Sequence, residues 1–174
     1  EPLAPETAAR RAGLPALGPE DVAKAVAGLA AEYRTVLVEG AGGLLVRYDE
    51  RGHTLADIAL AGRRLGLDVE FLLVAAAGLG TLNATALTAE ALRHRDLPLR
   101  GVVIGSWPTT PDLATRCNLA DLPTAAGAPL LGALPTGAAA HTPATFHPLA
   151  AASLAPPLGG TWNPTTFTTT HHPS

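Results

Sequence analysis

Glu39 is the residue whose type and place most invite chemistry. It closes the apolar run Thr35-Val36-Leu37-Val38 and opens a run of small residues, Gly40-Ala41-Gly42-Gly43. A carboxylate at that junction can hold Mg2+, a hard ion that prefers oxygen ligands and phosphate. The plain alternative is a salt-bridged or solvent-facing strand end, and spacing alone does not separate the two. Three more glycine-bearing turns follow apolar runs: Gly78-Leu79-Gly80-Thr81-Leu82-Asn83, Gly105-Ser106-Trp107-Pro108 and Pro135-Thr136-Gly137. Glycine lets backbone N–H groups approach an anionic ligand closely. The recurrence of such turns is a stronger signal than any one of them.

Other reactive side chains have plainer readings. Cys117 sits in an expected helix with no activating base nearby in sequence, so a small packed side chain is the better reading. Asp57 could bind a cation, but a place in the first turn of a helix accounts for it. Trp107 could stack on a base or plug the core beside Pro108, and burial separates the two. His53 lies in a polar turn. His171 and His172 could ligate a metal, but a loose chain end is the better reading. Arg63, Arg64, Arg93 and Arg95 read as solvated helix faces, with Glu90 able to pair with Arg93 at helical spacing.

The elements that must position these groups follow from pattern. Residues 1–18, rich in Pro, Ala and Gly, read as a connecting segment. Pro19-Glu20-Asp21 starts a helix that carries Val22, Val26, Leu29, Ala30 and Tyr33 at helical spacing. Thr35–Glu39 reads as a buried parallel strand. Thr54-Leu55-Ala56-Asp57 opens a helix with a capping box, closed by Gly66. A second strand spans 69–76 and a helix 83–95. A third strand spans 101–105, followed by a helix within 111–122 that Pro111 and Pro123 bound. A short fourth strand covers 129–134. Strands alternating with helices predict an α/β fold with a mainly parallel sheet flanked by helices. Ligands of such sheets bind outside the carboxyl ends of the strands, where all four turns fall. Residues 1–150 are expected to form one domain portion and 151–174 a poorly ordered tail, the Thr-, Pro- and His-rich stretch 161–174 above all.

Composition sets the outer bounds. The 174 residues are 47% hydrophobic and 16% charged, enough apolar content for one real core. The net charge of −3, with no basic stretch, argues against nucleic acid or a membrane surface as partner. No apolar run approaches the ~20 residues of a membrane span. A single cysteine suits a reducing, cytoplasmic setting. The chain has no Met, which predicts processing, trimming or a fragment, and Lys24 is its only lysine.

Val36-Leu37-Val38-Glu39-Gly40-Ala41-Gly42-Gly43-Leu44 resembles the Glu-Gly-Ala-Gly-Gly segment of dethiobiotin synthetases. The rest follows in that family's order. Thr54-Leu55-Ala56-Asp57 is similar to the stretch after that loop. Ala77-Gly78-Leu79-Gly80-Thr81-Leu82-Asn83 resembles the Leu-Gly-Thr-Leu/Ile-Asn motif. Gly101-Val102-Val103-Ile104-Gly105-Ser106-Trp107-Pro108 matches an actinobacterial variant. Leu130-Leu131-Gly132-Ala133-Leu134-Pro135 resembles the segment before the last nucleotide loop, and residues 1–9 also fit. Five motifs in order carry the resemblance, over residues 1–140.

The resemblance implies a phosphate-loop NTPase-like fold and a specific reaction. 7,8-Diaminopelargonate and carbon dioxide close into the ureido ring of dethiobiotin, a ligase step of biotin biosynthesis driven by ATP or another nucleoside triphosphate with Mg2+. A substrate amine forms a carbamate, phosphoryl transfer gives a mixed anhydride, and the second amine displaces phosphate. Glu39 takes the position of a Mg2+ ligand, and Gly40, Ala41, Gly42 and Gly43 the loop facing nucleotide and substrate. Gly80, Thr81, Leu82 and Asn83 take the substrate loop, which in the family reaches across a homodimer. Gly105 and Ser106 align with a base-contacting Asn-Arg pair that this chain lacks. Pro135, Thr136 and Gly137 take the last nucleotide loop, and Ala84 replaces a frequent His.

The family's Gly-Lys-Thr phosphate loop, a second lysine and an Asp ligand have no match here. Lys24 follows Ala23 in an expected helix and cannot stand in. No residue of this chain therefore takes a catalytic position, and roughly the first third of a family member is missing at the amino end. The expectation is a fragment, incomplete at its N-terminus, with little activity alone. The alternatives are a related NTP-dependent amidoligase or ATPase, or a non-catalytic homologue acting as a binding subunit.

Overall fold

The computed structural model describes residues 2–171, which divide into two compact units. The first comprises residues up to 70 together with 94–98, and the second comprises 71–93 and 99 onward. The expectations for Glu1 and His172 lie outside the described residues.

The first unit carries α1 (Pro5–Ala12), α2 (Pro19–Glu32) and α3 (Leu55–Arg64). The helix α1 replaces the connecting segment expected from composition. Pro5 fits its first turn, Glu6 meets the positive end of the dipole, and Gly13 ends it with φ 65°. Glu6 also holds the helix down through Arg47, at 3.2 Å. In α3 the expected capping box is present: the Thr54 N–H and hydroxyl both donate to Asp57 Oδ2, at 2.7 and 2.8 Å. Ala56, Ile58, Ala59 and Ala61 form the buried side of that helix.

Residues 35–39 depart from expectation. They form no ladder, and Leu37 is 92% exposed. A strand is stable only when its N–H and C=O groups are paired by a neighbour. All three strands among the described residues lie in the second unit, so the β-branched pattern here finds no partner within its own unit.

The second unit is built on β1 (Phe71–Ala75), β2 (Leu99–Trp107) and β3 (Leu130–Pro135), parallel and in the order β1-β2-β3. Helices α4 (Thr81–Arg93) and α5 (Leu113–Ala126) make the crossovers. Val102, Val103 and Ile104 of the central strand are at most 3% exposed, as a strand covered on both faces must be. Leu119, Leu122 and Ala126 of α5 complete the core. Fully burying a side chain such as Leu122 contributes about 2 kcal/mol.

Two helices have limits that differ from those read in the sequence, and α4 differs at both ends, closing at Arg93. The helix α4 begins at Thr81, so Thr81, Leu82 and Asn83 lie in its first turn. The helix α5 runs through Pro123 to Ala126 and stops at Gly127, φ 63°. Proline there removes one backbone bond and keeps a helical φ, while its own carbonyl accepts from the Ala128 N–H at 3.3 Å.

The carboxyl-terminal stretch is also corrected: its described part packs rather than trailing as a tail. It contains α6 (Pro143–Ser153), a 3-10 turn at Pro156–Leu158, and α7 (Pro164–His171). Trp162 is 6% exposed within the core cluster, and Phe167 packs against it. Two large rings supply apolar area that a count of Thr, Pro and His does not reveal. The chain after α6 crosses β3 closely: a Cβ on Gly132 would stand 2.6 Å from the Ser153 carbonyl oxygen.

Candidate functional site

At the carboxyl ends of β1, β2 and β3 lie three of the four expected turns, all in the second unit. The turn after β1 is pinned from below. Asn118, buried on α5, donates its amide to the carbonyls of Ala77 at 2.8 Å and Gly78 at 3.1 Å. Gly80 has φ 88°, which releases the chain into α4, and the Ala84 N–H returns to its carbonyl at 3.3 Å. Thr81 is buried, Leu82 half-buried against the core, and Asn83 exposed. The amino terminus of α4, the positive end of its dipole, follows Gly80, and the Thr81 N–H donates to the Gly78 carbonyl at 3.4 Å.

The ends of β2 and β3 are joined to each other. Ser106 and Thr136 hydroxyls lie 2.8 Å apart, and the Thr136 N–H donates to the Trp107 carbonyl at 2.8 Å. Both hydroxyls are exposed, and each can donate or accept. Gly105 is exposed above Val74, where a Cβ would stand 2.7 Å from a valine methyl. Pro135 is half-buried, and Gly137 turns the chain with φ 83°. The structure thus brings Gly105 and Ser106 together with Pro135, Thr136 and Gly137, and sets Gly80–Asn83 on the same edge of the same sheet.

Beside that edge, α5 starts on Asp112, whose carboxylate accepts the Thr115 N–H at 2.7 Å. That bond, then the Thr115 hydroxyl, holds the Asp112 carboxyl below its usual range.

Glu39 and its loop belong to the first unit. Glu39, Ala41, Gly42 and Gly43 are exposed, and Gly40 is half-buried. The Ala41 N–H donates to the Tyr48 hydroxyl at 3.1 Å, and a Cβ on Gly40 would stand 2.7 Å from Leu55. Gly42 and Gly43 have φ of 84° and 127°. Among the described residues, no group of three or more His, Cys, Asp or Glu could by itself hold a metal ion. An exposed carboxylate such as Glu39 still fits Mg2+, which keeps waters and phosphate oxygens around one or two protein ligands.

Several secondary candidates resolve. Trp107 is 7% exposed under Phe167 and His171, so it plugs the core. His171 packs on those rings rather than standing free for a metal. Asp57 is occupied by its helix cap. His53 pairs with Asp49 at 2.6 Å, and that hydrogen bond lowers the Asp49 pKa. Cys117 is half-buried. Arg64 makes an exposed pair with Glu20 at 3.3 Å, and Arg63 donates to the Asp96 carbonyl. An open groove of about 510 Å³ in the first unit is lined by Glu6, Arg10, Glu20, Asp49 and Arg51, among others, and by none of the expected site residues.

Sequence reasoning missed Asn118 and the α7 rings. Asn118 carried a usable signal: an amide flanked by Thr115, Leu119 and Leu122 lies on the buried stripe of a helix and must find partners there. No helix among the described residues is long and apolar enough to cross a membrane.

Comparison with known proteins supplies the context. A family profile described as an AAA domain matches residues 1–144. The ATP-dependent dethiobiotin synthetase BioD of Streptomyces avermitilis is 64% identical over 167 residues, covering 96% of this chain and 68% of that protein. The protein of the same name from Streptomyces coelicolor is 60% identical over 173 residues, 99% of this chain and 71% of its own length. That of Saccharopolyspora erythraea is 63% identical over 163 residues, 94% and 70%.

Proposed function

The chain belongs to the family of ATP-dependent dethiobiotin synthetases, and on that premise we propose that it serves ureido-ring closure in biotin biosynthesis. The substrates are 7,8-diaminopelargonate, carbon dioxide and ATP with Mg2+. The observation that carries this reading is the grouping at one sheet edge: the Gly80–Asn83 turn and the bonded Ser106–Thr136 pair sit where parallel sheets take their ligands.

Roles follow from chemistry. The first helical turn of α4 offers N–H groups to an anionic part of the substrate, with Asn83 exposed beside them. Ser106 and Thr136 offer hydroxyls to the nucleotide base, next to the Gly105 and Pro135–Gly137 backbone. Glu39 is the metal ligand of this stretch, and Gly40–Gly43 face phosphate and substrate. Bound Mg2+ neutralises charge on the phosphoryl oxygens. The groups here bind and orient, and no side chain of the 174 offers the phosphate-loop lysine, since Lys24 lies within α2. Turnover by the 174-residue chain alone is therefore expected to stay at background. A cytoplasmic homodimer, with the Asn83 loop reaching the partner's site, is part of the proposal.

Disruption of the coding region in the source organism tests the reading whatever the chain's activity in isolation. Growth should then require biotin, be restored by dethiobiotin and not be restored by 7,8-diaminopelargonate. Restoration by diaminopelargonate would move the defect to an earlier step and overturn the assignment.

A further inference from the structure

We propose that Phe167 is a positioning residue for the strand-end site: together with His171 it clamps Trp107, and through Trp107 it holds the Ser106–Thr136 pair. The inference rests on the functional reading above only in naming what the pair is held for.

The clamp is a ring cluster. The Phe167 ring meets the Trp107 indole edge-on at 5.2 Å and 71°, and the His171 ring does so at 5.2 Å and 78°. Phe167 and His171 are four residues apart on α7, which puts both rings on one helix face. They contact each other at 4.3 Å, and His171 Nδ1 lies 2.9 Å from the Phe167 carbonyl oxygen. Trp162 extends the cluster, 5.3 Å from Phe167.

One residue links this cluster to the site. The carbonyl of Trp107 receives the Thr136 N–H, and Ser106, its neighbour in sequence, faces the Thr136 hydroxyl. An indole fixed by two edge contacts fixes its own peptide, and with it the register between the ends of β2 and β3. That register is not secured by a regular ladder, because the pairing is irregular between Ile104 and Trp107. The hydroxyls of Thr169 and Thr170 turn back onto their own helix, so the rings are the parts of α7 that grip.

The test compares wild type, Phe167→Ala, Phe167→Tyr and His171→Ala in the 174-residue chain. Two quantities are read: hydrogen exchange at the Thr136 amide, and the affinity for Mg-ATP followed by the NMR shift of the Gly137 amide, which detects weak binding. Phe167→Ala should speed Thr136 exchange about tenfold or more and weaken Mg-ATP by a similar factor. Phe167→Tyr, which keeps the ring, should restore both. Unchanged exchange in folded Phe167→Ala overturns the clamp. Faster exchange with unchanged affinity overturns the positioning role and leaves a purely structural cluster. If Phe167→Ala does not fold, His171→Ala decides on the same two readouts. Failure of the wild type to bind Mg-ATP would overturn the positioning role and leave the functional reading to the growth test, since the 174 residues lack the phosphate-loop lysine, while Thr136 exchange still decides the clamp.

Discussion

The Glu39–Gly43 and Gly78–Asn83 loops look alike as sequence, each a glycine-rich turn after a β-branched or apolar run, yet they are held in opposite ways. The second follows a paired strand, and a buried amide, Asn118, fixes its two leading carbonyls. The first follows an unpaired stretch in which Leu37 is 92% exposed, and it is held by a tyrosine hydroxyl, the flank of Leu55 and the Val46 N–H on the Gly43 carbonyl. Glycine content marks where a backbone can approach a ligand. Rigidity of the loop comes from what the preceding strand pairs with and what lies beneath the turn.

The contrast can be broken at the packed end first. Leu122→Ala empties a fully buried position of the second unit and should cost about 3 kcal/mol in urea unfolding. A loss well under 1 kcal/mol would mean that the unit is loosely packed and the contrast false.

Glu39→Gln tests the exposed loop. Introduced at the natural locus, it should lower dethiobiotin formation about a hundredfold, equivalent to about 2.7 kcal/mol of transition-state stabilisation. Thermal unfolding of the purified chain should not change, because the side chain is exposed. Equal activity would remove Glu39 from the site.

Asn118→Ala leaves two carbonyls without their buried donor and should cost about 2 kcal/mol. Hydrogen exchange at the Thr81 and Ala84 amides should rise with it. If those amides stay protected, the turn after β1 is held by something other than Asn118.

The smallest effect is a pH signature at the α5 cap. The Asp112 pKa is lowered in the folded chain from an ordinary value of 3.8, so its stabilising contribution is present above that value and lost as pH falls through the lower folded one. Asp112→Asn should be less stable than wild type at neutral pH, and the gap should close below about pH 4. A gap that stays constant from neutral pH through the acid range would assign the cap to neutral hydrogen bonding alone.

The sequence by itself determined the elements whose signals are local. The Thr54–Asp57 capping box and the apolar runs of β1, β2 and β3 are written in residue types a few positions apart and appear where expected, although β2 runs on through Gly105 and Ser106 to Trp107, where the glycine predicts a turn. The resemblance, carried by five short motifs in order, likewise needed no coordinates, and the family relation bears it out. Tertiary structure decided what pairs with what. Thr35–Glu39 has a strand's composition and no ladder, because pairing needs a neighbour that composition does not supply. Pro123 stays inside α5, and α7 packs despite its threonines, because buried contacts outweigh local propensity. Whether Trp107 met a ligand or the core depended on rings some 60 residues further along, and only the folded chain brings them together.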